Sequence, residues 1–112
     1  MRVADVMTRG VESLTPSATL VEAAKRMRDL DVGAIPVVEA GRPVGILTDR
    51  DIAIRAVAEG QPLASLTVAN VMTPDTVTVR SNSSVEDAAR SMKVRQVRRL
   101  MVVDESGALC GI

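Results

Sequence analysis

Apolar residues recur with a helical spacing in the segment that follows Pro16. They stand at i, i+3, i+4 and i+7 and share one helix face: Leu20, Ala23, Ala24, Met27 and Leu30. Thr19 and Glu22, three positions apart at the start of this stripe, have the spacing of a capping box. The pattern predicts an amphipathic helix from about Leu20 to Asp31.

Short apolar runs bounded by turn residues follow this helix and predict strands. Ala34 to Val38 is one such run and Val44 to Thr48 is the next, with Gly41-Arg42-Pro43 as the turn between them. A brief extended stretch, Glu12 to Thr15, is expected before the helix. A second helix is expected after the strands, over Asp49 to Ala58.

The whole pattern then occurs a second time. Asp5-Val6-Met7-Thr8 returns as Asn70-Val71-Met72-Thr73, an offset of 65 positions, and one extra residue near Ser106 changes the offset to 66. Twelve of the 42 paired positions are identical, whereas about three would match by chance at average residue frequencies. The second copy predicts a helix opened by Ser84 and Asp87, followed by strands at Leu100 to Asp104 and Ala108 to Ile112.

The repeat divides the chain into residues 1–64, the first copy with its connector, and residues 65–112, the second copy. The segment that joins the copies, Glu59 to Thr67, is expected to be ordered. Neither copy alone offers much core. Two small sheets, each with helices on one face, would bury their open faces against each other. The sequence therefore predicts an α+β fold with a pseudo-twofold pair of units.

Composition narrows the functional classes. The chain has 112 residues, zero formal net charge, 46% hydrophobic and 25% charged residues, which are globular values. We find no membrane-spanning run and no signal-peptide pattern, so a cytoplasmic location is expected. Cys110, the single cysteine, excludes an internal disulfide. It fits a small buried hydrophobe better than a reactive thiol or an intermolecular disulfide.

The chain contains no His, Phe, Tyr or Trp. The commonest general base and metal ligand is therefore missing, and no aromatic ring is present to stack bases. We find no paired nucleophile and base and no metal-ligand cluster, so an enzyme and a metal site are disfavoured. Zero net charge also disfavours nucleic-acid binding.

The segment Gly45 to Asp51 carries the strongest candidate chemistry. A carboxylate such as that of Asp51 can accept hydrogen bonds from two neighbouring ribose hydroxyls. The Thr48 hydroxyl and the unpaired N–H groups of a first helical turn suit a phosphate. The alternative is structural: Thr48 caps the helix and Asp51 complements its dipole. Spacing alone favours this structural role.

Five segments resemble a known family in their order along the chain: VMT, TPSATLVEAAKRM, GAIPVVE, GRPVGILTDRD and VRRLMVVDESGALCGI. They resemble two CBS domains in tandem (a Bateman module), as in small stand-alone bacterial CBS-pair proteins, and the resemblance covers nearly the whole chain. It implies two β-α-β-β-α units with small mixed sheets packed face to face. It also implies a regulatory module that binds AMP, ADP, ATP or an S-adenosylmethionine-like ligand in the inter-repeat cleft, forms homodimers, acts on an unidentified partner and needs no cofactor.

With the resemblance, ligand contact becomes the favoured role for Thr48 and Asp51, and further ligand-binding residues are implied. The implied set is Thr48, Arg50, Asp51, Thr73, Asp75, Thr76, Val77, Arg98 and Arg99. Arg98 and Arg99 would face phosphates. The alternative for these arginines, with Lys93 and Arg95, is a solvated basic face.

A second, pseudo-symmetric pocket is implied at Thr8, Val11, Gly33 and Ala34. The second copy ends at Gly111-Ile112, before the positions that would match Thr48 and Asp51, so it lacks the end of its last strand and its final helix. We therefore expect one competent site per chain. The same shortening motivates the alternative function, a ligand-free dimerisation or protein-interaction scaffold.

Overall fold

The computed structural model describes residues 1–74, 77–95, 97 and 99–112. Its helices are α1 (Val3–Val6), α2 (Leu20–Leu30), α3 (Asp49–Asp51), α4 (Val68–Val71) and α5 (Val85–Arg95). Its strands are β1 (Ala34–Glu39), β2 (Arg42–Thr48), β3 (Thr73–Pro74), β4 (Thr78–Arg80), β5 (Met101–Val103) and β6 (Leu109–Gly111). They form two three-stranded sheets, which confirms the predicted α+β class.

The chain packs as two compact units, named here after their long helices. The α2 unit contains residues 12–39 and 44–74. The α5 unit contains residues 1–11 and 40–43 together with the described residues from 77 onward.

Helix α2 forms as the apolar spacing predicts. The Thr19 hydroxyl accepts the Glu22 N–H at 3.1 Å, and the Glu22 carboxylate accepts the Thr19 N–H at 3.3 Å. The helix ends one residue before the expected Asp31, because Asp31 turns into the left-handed region with φ 54°. The apolar face of α2 then packs against strands β1 and β2 in a core of Leu20, Ala23, Met27, Ile35, Val37 and Leu47.

The sheet of the α2 unit has the order β1-β2-β3. Strand β3 runs antiparallel to β2, with Ile46 opposite Thr73 and Gly45 opposite Pro74. A Cβ on Gly45 would lie 2.6 Å from the Met72 Sδ and 3.0 Å from the Thr73 carbonyl oxygen. Glycine is therefore needed for the two strands to approach this closely.

The helix that follows β2 differs from the expected single α-helix over Asp49 to Ala58. One α-helical turn, α3, continues as a π-helix over Ile52–Val57. The Ala58 N–H donates to the Ala53 carbonyl at 2.9 Å, a bond between residues five apart that widens the turn. Within this wider turn Ala56 is fully buried, while Ile52 packs against the same core.

The α5 unit repeats this plan with the order β4-β5-β6. Strands β4 and β5 are parallel, whereas β5 and β6 are antiparallel with an irregular register at Val102 and Val103. The last two strands are each one residue shorter at both ends than the expected Leu100 to Asp104 and Ala108 to Ile112. Helix α5 begins as predicted, with the Ser84 hydroxyl accepting the Asp87 N–H at 3.1 Å.

The two units exchange their entry segments relative to the sequence repeats. Helix α1 from the first copy packs in the α5 unit, where the Val3 N–H donates to the Ser83 carbonyl at 2.8 Å. Helix α4 from the second copy packs in the α2 unit, where the Val68 N–H donates to the Ala18 carbonyl at 2.8 Å. The short first helix of each copy thus packs beside the start of the long helix of the other copy. Across the described residues, no helix is long and apolar enough to cross a membrane.

Candidate ligand-binding site

The site begins where β2 passes into α3. Thr48 has extended backbone angles, φ −114° and ψ 159°, which end the strand and place its side chain over the first helical turn. Its hydroxyl accepts the Asp51 N–H, and the Asp51 Oδ2 accepts the Thr48 N–H, both at 3.0 Å. This reciprocal capping box satisfies two backbone donors that a helix start otherwise leaves unpaired.

Strand β3 brings Thr73 to the same point. Because Thr73 pairs with Ile46, its side chain lies beside the end of β2. The Thr73 hydroxyl donates to both Asp51 oxygens in a bifurcated contact, at 3.3 Å to Oδ1 and 3.4 Å to Oδ2. The structure therefore brings together Thr48, Asp51 and Thr73, three of the residues implied by the resemblance.

Arg55 belongs to this cluster, although the sequence analysis missed it. Its Nη1 donates to the carbonyls of Val71 at 3.2 Å and Met72 at 3.0 Å, which end helix α4. Its Nε lies 4.0 Å from the Asp51 Oδ1. The signal that could have found it is the spacing of four between an acid and a base in a predicted helix.

The Asp51 carboxylate has an environment suited to a polar ligand. Its side chain is 12% exposed, so it is largely withdrawn from water while still reachable. Two carboxylate oxygens offer about four acceptor positions. The Thr48 N–H occupies one with good geometry, and the Thr73 hydroxyl makes only long bonds. Acceptor capacity therefore remains for two further hydroxyl donors.

The other implied residues fall in three places. Arg50 is exposed in the first turn of α3, where its N–H donates to the Asp49 Oδ1 at 2.8 Å. In the α5 unit, Val77 packs against the core and Arg99 is exposed. The remaining three, Asp75, Thr76 and Arg98, lie outside the described residues.

The residues implied for a second pocket are likewise divided between the units. Thr8 pairs through its backbone with Ile112, by bonds of 3.0 and 3.1 Å, in the α5 unit, which also contains Val11. Gly33 and Ala34 belong to the α2 unit, where the Gly33 carbonyl accepts the Asp49 N–H at 2.9 Å. A Cβ on Gly33 would lie 3.1 Å from the Asp49 Oδ2, so this position faces an acid.

The fold and the cluster define a class of protein. A family model for the CBS domain matches residues 3–57 and 68–112. The chain therefore belongs to the CBS domain family and carries two copies of the domain, as the resemblance predicted. Among the described residues, no group of three or more potential metal ligands comes together.

Particular relatives extend this assignment. The chain is 46% identical over 110 residues to the CBS domain-containing protein YhcV of Bacillus subtilis, covering 98% of this chain and 77% of the relative. It superposes on CBSX2, solved in complex with AMP, with a TM-score of 0.83, 32% identity and coverage of 98% and 87% of the two chains. It also superposes on the CBS domain pair of protein MJ0100, solved with 5′-methylthioadenosine and S-adenosyl-L-methionine, with a TM-score of 0.84, 26% identity and coverage of 99% and 90%.

Proposed function

We propose that this chain is a regulatory, non-catalytic module that binds an adenosine-containing ligand: AMP, ADP, ATP or an S-adenosylmethionine-like molecule. The observation that carries the proposal is the Asp51 carboxylate, held at the start of a helix with acceptor capacity to spare. CBSX2 and the MJ0100 domain pair, both similar in fold and sequence, were solved with adenosine compounds. Cytoplasmic location, homodimers and an unidentified regulated partner belong to the same proposal.

The three clustered residues have different roles in the proposed binding, according to their chemistry. Asp51 accepts hydrogen bonds from the two ribose hydroxyls, which replace the long bonds from Thr73. Thr73 then turns its hydroxyl to the ligand, and Thr48 keeps the helix start in place through its cap. Arg50, exposed in the first turn, supplies positive charge for a phosphate or another anionic group.

The other ligand-binding residues implied by the resemblance stay predictions. They are Asp75, Thr76, Val77, Arg98 and Arg99 for the main site and Thr8, Val11, Gly33 and Ala34 for the second pocket. Asp49 beside Gly33 favours the expectation of a single phosphate-binding site, because a carboxylate at that position repels a phosphate.

A specific observation favours the second candidate function, a ligand-free dimerisation or protein-interaction scaffold. Asp51 already completes a capping box and receives the Thr73 hydroxyl within its own unit. It therefore has a structural role that needs no ligand. The two functions make opposite predictions for titration with nucleotides.

Isothermal titration calorimetry with AMP, ADP, ATP and S-adenosylmethionine separates them. For the ligand that binds, Asp51→Asn should weaken affinity by about ten- to a hundredfold, because one carboxylate acceptor becomes a donor and a charge-assisted bond is worth about 1.5–3 kcal/mol. Asp49→Asn is the matched control, since it removes the same charge from the same helical turn. It should change affinity by less than about threefold.

Two outcomes would reject the ligand-binding function. One is the absence of heat and of thermal stabilisation with all four compounds at millimolar concentration. The other is equal loss of affinity in Asp49→Asn and Asp51→Asn. That result would show that the loss of a negative charge weakens binding without any specific contact from Asp51.

A further inference from the structure

Arg55 makes contacts with two elements of the α2 unit. It lies in the helical segment after β2, four positions after Asp51, and its side chain contacts the end of α4. The Nη1 group donates to the Met72 carbonyl at 3.0 Å and to the Val71 carbonyl at 3.2 Å. The Met72 carbonyl belongs to the peptide group that joins Met72 to Thr73. Arg55 therefore holds the chain immediately before the residue whose hydroxyl faces Asp51.

These carbonyl bonds also keep the guanidinium of Arg55 away from the Asp51 carboxylate. An acid and a base four positions apart on a helix are neighbours that can form a close ion pair. Here the Arg55 Nε stands 4.0 Å from the Asp51 Oδ1, beyond hydrogen-bond distance, whereas Arg90 approaches Asp87 to 2.9 Å in α5. The guanidinium thus leaves the Asp51 oxygens open to hydroxyl donors while it keeps a positive charge beside them.

The backbone ladder supports strand β3 only weakly. Its two residues, Thr73 and Pro74, pair with β2, and a proline has no N–H to donate to the ladder. The Thr73 hydroxyl makes only long bonds to Asp51, at 3.3 and 3.4 Å, and bonds of this length are weak. The two bonds from Arg55 therefore provide an anchor where α4 passes into β3.

We infer that Arg55 is a positioning residue of the candidate ligand site. By holding the end of α4, it keeps the Thr73 hydroxyl at the Asp51 carboxylate, and it acts on ligand binding through Thr73 without contacting the ligand. The inference rests on the proposed function, in which ligand hydroxyls replace the bonds from Thr73 to Asp51.

Calorimetric titration with AMP, ADP, ATP and S-adenosylmethionine tests this role. Arg55→Met keeps the aliphatic part of the side chain and removes its donors. Affinity for the compound that binds should fall about three- to tenfold, and by no more than in Thr73→Val, because Arg55 acts through Thr73. In the Thr73→Val background, Arg55→Met should change affinity by less than about twofold.

Arg28→Met is the matched control. Arg28 is an exposed arginine of the same unit, and its side chain pairs with Asp29, away from the site. The control should change affinity by less than about twofold. Should Arg55→Met lose its native circular dichroism, Arg55→Lys is the second variant. A lysine keeps the charge but has no planar fork for two carbonyls, so affinity should fall although the charge is conserved.

A measurement without ligand separates this inference from the proposed function. Three-bond NMR couplings to the Thr73 methyl carbon report the rotamer of that side chain. They should indicate one rotamer in the wild type and in Arg28→Met, and an average over rotamers in Arg55→Met. If the couplings behave in this way and no adenosine compound binds, the proposed function fails and the positioning role of Arg55 stands.

Three results would overturn the inference. The first is wild-type affinity in both Arg55→Met and Arg55→Lys. The second is a loss of affinity in Arg55→Met that is equally large in the Thr73→Val background, which would show that Arg55 does not act through Thr73. The third is a set of Thr73 couplings that Arg55→Met leaves unchanged, whether or not a ligand binds.

Discussion

The Thr73 hydroxyl lies 3.3 Å and 3.4 Å from the two carboxylate oxygens of Asp51, 22 positions away in sequence. This contact joins the second sequence repeat to the first within one unit. It depends on the two-residue strand β3, which pairs Thr73 with Ile46. The geometry of the candidate site is therefore set by the approach of β3 to β2 as much as by the capping box of α3.

Removing the Thr73 hydroxyl tests its share in both stability and binding. Thr73→Val keeps the shape of the side chain and leaves the Asp51 carboxylate with one donor fewer. We expect a loss of about 0.5–1.5 kcal/mol in the free energy of unfolding, measured by urea titration. Affinity for the bound adenosine compound should fall about three- to tenfold by calorimetry.

The control for this change is Thr78→Val, at an exposed position of β4. It should leave affinity unchanged and stability within about 0.5 kcal/mol. Wild-type affinity in Thr73→Val would remove Thr73 from the proposed site and leave it a purely structural role.

Gly45→Ala should open the junction between β2 and β3. The added methyl group would stand 2.6 Å from the Met72 Sδ and 3.0 Å from the Thr73 carbonyl oxygen. Overpacking of this kind costs about 1–3 kcal/mol in the free energy of unfolding. Thr73 would also move away from Asp51, so adenosine-ligand affinity should fall with stability.

The double variant Gly45→Ala/Met72→Ala separates the two contacts. Removing the Met72 side chain relieves the closer one, whereas the backbone oxygen of Thr73 stays in place. Gly45→Ala should therefore lower the free energy of unfolding less in the Met72→Ala background than in the wild type. A double-mutant cycle in urea measures this difference. Equal costs in the two backgrounds would contradict the proposed clash.

Local patterns of the sequence are sufficient to predict much of this architecture. The spacing of Thr19 and Glu22 predicts the start of α2, and the structural alternative for Thr48 was a helix cap, which it forms. The structure adds that Asp51 returns the bond and completes a capping box. These features are local because their partners stand three residues apart. The duplicated pattern likewise predicts two sheets, since each copy contains two consecutive strands of its own, β1 and β2 in the first and β5 and β6 in the second.

Long-range features could not be read from the same patterns. The contact of Asp51 with Thr73 needs a strand of two residues that includes a proline, and strand propensity gives no signal for it. The exchange of α1 and α4 between units depends on which core each four-residue helix joins, not on its own spacing. The π-helix over Ile52–Val57 shares its apolar positions with an ordinary helix. The spacing of four from Asp51 could have indicated Arg55, but no side-chain pattern indicates its main partners, the backbone carbonyls of Val71 and Met72.

Substitution of Arg55 tests how much its contacts between the end of α4 and the candidate site stabilise the fold. Its Nη1 reaches two carbonyls while its Nε faces Asp51, a geometry that a single lysine ammonium does not reproduce. Arg55→Lys should therefore lower the free energy of unfolding by about 1 kcal/mol. Arg50→Lys, at an exposed side chain one turn earlier, should change it by less than about 0.5 kcal/mol in the same urea titration. Equal stability of the two variants would show that the carbonyl contacts contribute nothing.

The turn between β5 and β6 carries a pH-dependent prediction. The Ser106 hydroxyl donates to the Asp104 Oδ1, and the Ala108 N–H donates to the same oxygen; these bonds hold the pKa of Asp104 below its usual value. A carboxyl whose pKa is lower in the folded state stabilises the fold above its unfolded pKa, and this contribution is lost as pH falls through the folded pKa.

Ser106→Ala removes the largest cause of the lowered Asp104 pKa. NMR titration of the Asp104 carboxyl should therefore show a higher pKa in Ser106→Ala than in the wild type, and the variant should lose less stability than the wild type on acidification. Ser83→Ala, a serine-to-alanine change elsewhere in the α5 unit, should leave the pKa of Asp104 where it is. An unchanged pKa in Ser106→Ala would show that the backbone donors of the turn hold the carboxylate without the hydroxyl.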